Sequence, residues 1–286
     1  MSEAEEQVHE PGGSEPLSSD RSSDGAEDLG GRASSGALWA MISLGSGQII
    51  RLVSNIILTR LLVPEYFGLM ALVHVFLQGL ELFSDIGIGP ALIQNEREDA
   101  SFVNTVWTTQ VFRGIALTLA GMALAVPFAA FYQEAILVPL IQATAVTAAI
   151  AGVSSTSIHI EARHLRLKRP ALLRLAAQIV GTVSMVVIAW LTRSIWSLVI
   201  GAIIGASVES LLSHVWLPGI RNRFRFEREA ARSLFFFGMW IFLGTVAGFA
   251  AGQADRLILG KLETMTTLGV YSIAVLLASA PVGALS

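Results

Sequence analysis

Long apolar segments alternate with short polar connections along most of this chain. A helix needs about 20 mostly apolar residues to span a bilayer, and eight segments meet or approach that length. Connections this short are typical of antiparallel neighbours in a helix bundle. The pattern therefore predicts an all-α, polytopic membrane helix bundle. Its eight predicted transmembrane helices cover about 37–60, 67–86, 103–130, 135–160, 171–192, 195–217, 234–258 and 266–286.

The first 35 residues depart from this pattern. They hold nine of the 22 acidic residues and almost no large apolar side chain, so they bury too little surface to offset the entropy of ordering. We predict a disordered acidic tail over 1–35, and not a signal peptide, because it has no apolar core of its own. The whole chain is 53% apolar and 14% charged, whereas soluble domains carry about 25% charged residues.

Basic residues mark one side of the predicted bundle. The connections after the fourth and sixth helices hold nine Lys and Arg side chains, and the loops on the opposite side hold three: Arg60, Arg193 and Lys261. Cytoplasmic loops collect Lys and Arg, so the amino terminus and the basic loops are predicted to be cytoplasmic. The arginine clusters also suit acidic lipid headgroups, which is compatible with this topology.

Two stretches of the chain resemble each other at an offset of 201 residues. Ile57, Leu58, Leu61 and Gly68 align without gaps with Ile258, Leu259, Leu262 and Gly269, and Arg60 aligns with Lys261. An even number of helices separates the copies, so both have the same orientation in the membrane, as in a parallel repeat. The predicted domains are the tail 1–35, a first six-helix bundle 36–217, a basic cytoplasmic loop 218–233, and 234–286 as the first two helices of an incomplete second bundle.

Polar side chains recur at helical spacing inside the apolar helices. Four on the second helix are spaced 4, 3 and 4 residues apart, which places them on one face. A charge at mid-helix in hydrocarbon costs roughly 2.5–3.5 kcal/mol, so such residues pair with each other or line water. The candidates for a substrate cavity are Gln48, Arg51, Asn55, His74, Gln78, Glu81, Asp85 and Arg113, with Arg174, Glu209, Asp255 and Arg256 as weaker candidates.

Two interpretations of these residues stay open. Arg51 and Glu81 lie too deep in their helices for simple snorkelling, and they could form one structural salt bridge. Alternatively, a polar cavity lies between several helices, which explains why more than one helix carries a stripe. Arg174, Asp255 and Arg256 lie near helix ends, where anchoring at the interface is the simpler role. His74 suits a proton relay or a hydrogen-bonded core position.

Residue types needed for catalysis or metal binding are sparse. The chain has no Cys, which excludes disulfides and thiolate chemistry. Its five His residues are scattered without zinc-ligand spacing, and no Ser-His-Asp arrangement or phosphate loop is present. The pattern thus indicates neither an enzyme nor a metal or cofactor site, and nothing in it indicates nucleic-acid binding.

Three motifs resemble one family of transporters. They are ILTRLLVPEYFGLMALV (57–73), SDIGIGPALIQ (84–94) and QADRLILGKLETMTTLGVYSIA (253–274). In this order they resemble the oligosaccharide flippase, or polysaccharide transporter, family of the multidrug/oligosaccharidyl-lipid/polysaccharide superfamily. The resemblance implies two bundles of six helices around a central cavity. This chain departs from that plan in length, so it is either a fragment or a shortened protein.

The resemblance also implies a function. Such proteins move polyprenyl-pyrophosphate-linked oligosaccharides across the bacterial inner membrane for O-antigen, capsule or exopolysaccharide synthesis, with polymerases and glycosyltransferases as further partners. Under this hypothesis Arg51 and Arg113 attract the pyrophosphate, and Gln48, Asn55 and Gln78 bind sugar hydroxyls. Glu81 and Asp85 hold the arginines in the empty state or take up protons or sodium that drive transport.

Three alternatives remain. A multidrug exporter of the same superfamily would favour acidic cavity groups over arginines. A non-transporting membrane scaffold fits the incomplete second bundle. A membrane-embedded glycosyltransferase would need a large outer loop with catalytic carboxylates, and no outer loop exceeds about ten residues, so it ranks last.

Overall fold

The computed structural model describes residues 45–84, 100–164, 166–217, 223–224 and 248–285, and helices fill these ranges. The acidic tail, Asp85 and nearly all of the basic loop lie outside them. Within the described residues the chain forms nine helices and no strand. They are α1 (45–61), α2 (Pro64–Phe83), α3 (Ala100–Tyr132), α4 (Leu137–Val153), α5 (Ser157–Arg163), α6 (Lys168–Thr192), α7 (Trp196–Val215), α8 (248–262) and α9 (Met265–Leu285).

Several of these helices are long and apolar enough to cross a membrane. Among the described residues this holds for Ser101–Tyr132, Lys168–Thr192 and Trp196–Val215 taken singly. The consecutive helices α4 and α5, bent by 59°, together make up a fourth. The predicted all-α membrane helix bundle is confirmed.

Glycines allow the closest helix pairs to approach. A Cβ on Gly114 of α3 would lie 3.0 Å from the Cα of Gly152 on α4, and a Cβ on Gly181 of α6 would lie 3.0 Å from the Cα of Gly205 on α7. In a membrane, where lipid is as apolar as the helix surface, such small-residue contacts drive helix association. They explain why α3 with α4, and α6 with α7, are the two most extensively packed pairs.

The helix predicted over 135–160 is in fact two helices. Helix α4 ends at Val153, Ser154 has extended ψ of 148°, and α5 begins at Ser157. A break inside a membrane leaves backbone groups that must find other partners. Side chains of α3 supply them: Trp107 Nε1 donates to the Val153 carbonyl at 3.1 Å, and Gln110 Nε2 lies 3.2 Å from the Ser154 carbonyl. Apolar length alone does not reveal this break, because only the three residues Ser154, Ser155 and Thr156 separate the two helices.

Helices α2 and α9 meet through the residues that the sequence repeat makes equivalent. A methyl group on Gly68 would collide with the Met265 carbonyl oxygen, and one on Gly269 would collide with the Pro64 carbonyl oxygen. Pro64 and Met265 are themselves 201 residues apart, as are the two glycines, so each half of the contact mirrors the other. The first turns of the two helices therefore lie against each other in a self-complementary contact of the kind that a two-fold axis generates.

Candidate functional site

The polar stripe predicted on the second helix is the face that α2 leaves exposed. His74, Gln78 and Glu81 are exposed. Residues on the opposite side of this stretch, such as Leu72 at 0% and Val75 at 2% relative exposure, are buried in the bundle. This division follows the helical period and puts the polar groups along a single opening. One part of the stripe, His74 and Gln78, and the other part, Glu81, lie beside two different sites.

The part of the stripe formed by His74 and Gln78 faces α8 and forms a polar cluster with it. Gln253 Nε2 donates to Gln78 Oε1 at 2.8 Å, and Arg256 Nη1 donates to Gln253 Oε1 at 2.7 Å. His74 lies close enough to both Arg51 and Arg256 to feel their positive charges. We call these five residues the central cluster. Hydrogen bonds join α2 to α8 here, and Arg51 of α1 lies within electrostatic range.

Behind this cluster, the α8–α9 hairpin holds an acid. Tyr271 donates its hydroxyl proton to Asp255 Oδ2 at 2.5 Å. Three buried polar atoms nearby find no hydrogen-bond partner among the described residues: Asp255 Oδ1, Arg256 Nε and Ser272 Oγ. Asp255 and Arg256, predicted to anchor a helix end, thus both carry unsatisfied groups in the part of the chain described here. Unsatisfied buried groups are costly, so these are positions where a ligand, water or further protein would be stabilised.

The end of the stripe at Glu81 is bonded to α3 instead. Arg113 donates from Nε to the Ser84 carbonyl at 2.9 Å and to the Ser84 hydroxyl at 3.1 Å, and from Nη2 to the Glu81 carbonyl at 2.8 Å. These bonds satisfy carbonyls at the carboxyl end of α2, a position where a cation is favoured. Arg113 therefore has a structural role, because its hydrogen bonds tie α2 to α3.

A cavity of about 370 Å³ lies inside the first bundle beside Arg113. It runs along the break between α4 and α5. An ion pair of 3.9 Å joins Arg174 to Glu209 at its wall, with both side chains partly exposed. The polar groups in its lining are Glu81, Gln110, Arg113, Ser154, Ser155, His159, Arg174 and Glu209. We call it the bundle cavity.

Helix α1 contributes less than the sequence suggested. Asn55 Nδ2 donates to the carbonyl of Arg51, within its own helix, at 2.8 Å. Gln48 is half-buried. Its neighbour Gly47 accepts a hydrogen bond of 2.8 Å from Gln178 of α6, which fixes α1 on the first bundle.

The structure therefore divides eight of the twelve predicted residues between two places. Arg51, His74, Gln78 and Arg256 come together in the central cluster, whereas Glu81, Arg113, Arg174 and Glu209 surround the bundle cavity. Sequence reasoning had singled out neither Gln110 nor His159. The run of serine and threonine at 154–157 inside an apolar helix was the signal that could have located the break. Among the described residues no group of three His, Asp or Glu is placed to bind a metal ion.

Comparison with known proteins gives consistent matches. A family model described as "Polysaccharide biosynthesis protein" matches residues 57–286. The succinoglycan biosynthesis transport protein ExoT of Rhizobium meliloti is 26% identical over 247 residues, which is 85% of this chain and 49% of that protein. The teichuronic acid biosynthesis protein TuaB of Bacillus subtilis is 21% identical over 253 residues, 87% of this chain and 52% of that protein.

The lipopolysaccharide biosynthesis protein WzxC of Escherichia coli is also 21% identical, over 252 residues that make up 86% of this chain and 50% of that protein. The chain thus spans about half the length of the curated relatives it matches. No solved structure matches it.

Proposed function

Because this chain belongs to the polysaccharide biosynthesis protein family, we propose that it forms the first bundle and the start of the second in a flippase for lipid-linked oligosaccharides. The family and the name of the transport relative support a role in polysaccharide transport. The proposed substrate is a polyprenyl-pyrophosphate-linked oligosaccharide, and the proposed location is the bacterial inner membrane with a cytoplasmic amino terminus.

One observation carries the proposal. The central cluster lies between helices of the two repeats, on an exposed polar face of α2, and the contact between Gly68 and Gly269 lies beyond one end of it. Polar groups that lie between the repeats on an exposed helix face suit a cargo whose polar head crosses while its lipid stays in the bilayer. Interfaces between repeats are where transporters of this general design bind their substrates.

The charges of the cluster suit an anionic head group. Arg51 and Arg256 lie within electrostatic range of His74, and guanidinium groups bind phosphate oxygens through charge-assisted hydrogen bonds. Gln78 and Gln253 satisfy each other in the absence of cargo, and their amides suit sugar hydroxyls once that bond opens. In this proposal the pyrophosphate role stays with Arg51 and passes from Arg113, which is occupied by α2 carbonyls, to Arg256.

The coupling ion and the protein partners remain proposals of the same kind. Glu81, at the edge of the bundle cavity, is our candidate to exchange protons or sodium during transport. Polysaccharide polymerase and glycosyltransferases are the expected partners, since they consume and supply the same lipid-linked intermediate.

The test is export in the source bacterium after deletion of the gene. We expect the native gene to restore surface polysaccharide, and Arg51→Ala to abolish that restoration while the protein stays in the membrane at normal level. Arg60→Ala is the matched control, an exposed arginine at the end of the same helix that belongs to neither site. Unchanged export with Arg51→Ala would overturn the role of Arg51, and unchanged surface polysaccharide after deletion would overturn the proposed function.

A further inference from the structure

A groove outside both sites opens between the ends of α3 and α8. It encloses about 560 Å³. Its walls are the aromatic rings of Phe128, Phe131 and Tyr132 on α3, and aliphatic side chains of α8 that include Ile258 and Leu262. Phe131, Ile258 and Leu262 are all more than half exposed, so the groove is open to whatever surrounds the bundle at this level.

A single charged residue, Lys261, stands in the lining of this groove. Its ammonium group donates to the carbonyl oxygen of Phe131 and lies 4.6 Å from the centre of the Phe131 ring. A lysine ammonium carries three donors, so the bond to Phe131 leaves others for a ligand. These two contacts with Phe131 hold the ammonium group at the mouth of the groove. Without them the flexible lysine side chain would adopt many positions.

The charge and the apolar walls lie at different depths. Helix α3 ends at Tyr132 and α8 ends at residue 262, so Lys261 lies at the level where the helices leave the hydrocarbon. Phe128 lies three residues before Phe131, and Ile258 lies three residues before Lys261. At 1.5 Å per residue each is about 4.5 Å further along its helix, away from the end. A cation at the surface with an apolar slot beneath it matches a lipid, whose phosphate lies at the interface and whose chain extends inwards.

We propose that this groove binds an anionic phospholipid of the bilayer, with its phosphate on the Lys261 ammonium and an acyl chain between Phe128 and Ile258. Among the described residues, the groove lining contains Lys261 and no acidic side chain, and this balance of charge suits a negative headgroup. The site lies at the end of α3 that leads into α4, whereas the basic connection between α5 and α6 follows the far end of the bent α4–α5 pair. It does not depend on the function proposed above.

Such a lipid would also act on the arrangement of the two repeats. The groove is formed by α3 of the first bundle and by α8 of the second copy, which the Tyr132 hydroxyl joins by a hydrogen bond of 3.2 Å to the Leu257 carbonyl. A ligand stabilises the arrangement that it binds best. The bound lipid therefore holds these two helix ends together.

The experiment is a lipid titration of the purified, delipidated full chain, followed by native mass spectrometry. We expect phosphatidylglycerol to bind more tightly than phosphatidylcholine at one site. Lys261→Gln should weaken that site about fivefold, the effect of one cation near a lipid phosphate. Lys261→Arg should retain the affinity, and Arg60→Gln, the residue 201 positions earlier, should leave it unchanged.

A second variant removes the slot and keeps the charge. Ile258→Trp should fill the groove and weaken phosphatidylglycerol binding without changing Lys261, and circular dichroism confirms that each variant keeps its helix content. The proposal is overturned if both variants bind as the native chain does, or if phosphatidylcholine binds as tightly as phosphatidylglycerol. Binding of polyprenyl phosphate in preference to phosphatidylglycerol would equally overturn it, because the occupant would then be the carrier lipid.

Discussion

Gln253 of α8 donates a hydrogen bond of 2.8 Å to Gln78 of α2, a residue 175 positions earlier in the chain. The bond joins the polar stripe of the first bundle to the second copy of the repeat. It also relays to Arg256, whose Nη1 donates to the same Gln253. The two glutamines are thus the direct hydrogen-bonded link between the predicted cavity faces of α2 and α8.

This link should be measurable as a coupling energy. We expect Gln78→Ala and Gln253→Ala each to destabilise the chain, and the double variant to lose less than the sum, with a coupling of about 0.5–1.5 kcal/mol. The measurement is a double-mutant cycle on denaturant unfolding in detergent. As a control, Gln142→Ala should add independently to Gln78→Ala, because Gln142 instead donates to the Met122 carbonyl. Strict additivity of Gln78→Ala and Gln253→Ala would mean that the bond does not form in solution.

The contact of α2 with α9 should tolerate no side chain. Gly68→Ala and Gly269→Ala each place a methyl group into a backbone carbonyl of the other helix, and overpacking of this kind costs about 1–3 kcal/mol. We expect both variants to lower the melting temperature. Gly252→Ala on α8 is the control, because a Cβ there meets nothing within 4 Å and alanine is the better helix former. Equal stability of all three variants would contradict the close approach.

Arg113 should behave as a structural residue. Arg113→Ala leaves carbonyls of Glu81 and Ser84 without their charged donor, so we expect a loss of about 1.5–3 kcal/mol and a lower amount of protein in the membrane. Arg51→Ala should leave that amount unchanged. The comparison is a blot of the membrane fraction alongside the export measurement. If Arg113→Ala instead accumulated normally but failed to export, its role would be in transport, as the sequence first indicated.

The helix break should depend on Gln110. Its Nε2 lies 3.2–3.3 Å from the carbonyls of Ala151, Gly152 and Ser154. Gln110→Leu keeps the size of the side chain and removes the donor, so we expect a loss of about 1–3 kcal/mol. Ser213→Ala, which removes the acceptor for the Ser155 N–H at 2.9 Å, should have a similar effect. Thermal unfolding of both variants is the check, and an unchanged transition for Gln110→Leu would place the stabilisation of the break elsewhere.

The sequence predicted well what depends on helical periodicity. Apolar length predicted eight membrane helices, and three single helices and one bent pair among the described residues are long and apolar enough to cross a membrane. The spacing of His74, Gln78 and Glu81 placed them on one face of α2, and all three are exposed. The repeat at an offset of 201 residues pointed to Gly68 and Gly269, the pair that the structure places in contact.

Partners of individual side chains could not be predicted in the same way. The sequence does not indicate that Arg113 bonds to carbonyls at the end of α2, or that Arg256 bonds to Gln253. Both contacts depend on the rotation of each helix about its axis. The break at Ser154 is hidden for a related reason: its stability comes from Gln110 and Trp107, more than 40 residues earlier.

The contact between Gly68 and Gly269 also bears on how such a chain can arise. A contact whose two halves are equivalent needs to be found only once, because duplication of one segment supplies both glycines and both carbonyls together. The same equivalence restricts both positions. A larger residue at either glycine would collide with a carbonyl oxygen of the other helix, and the remaining glycine could not relieve that collision.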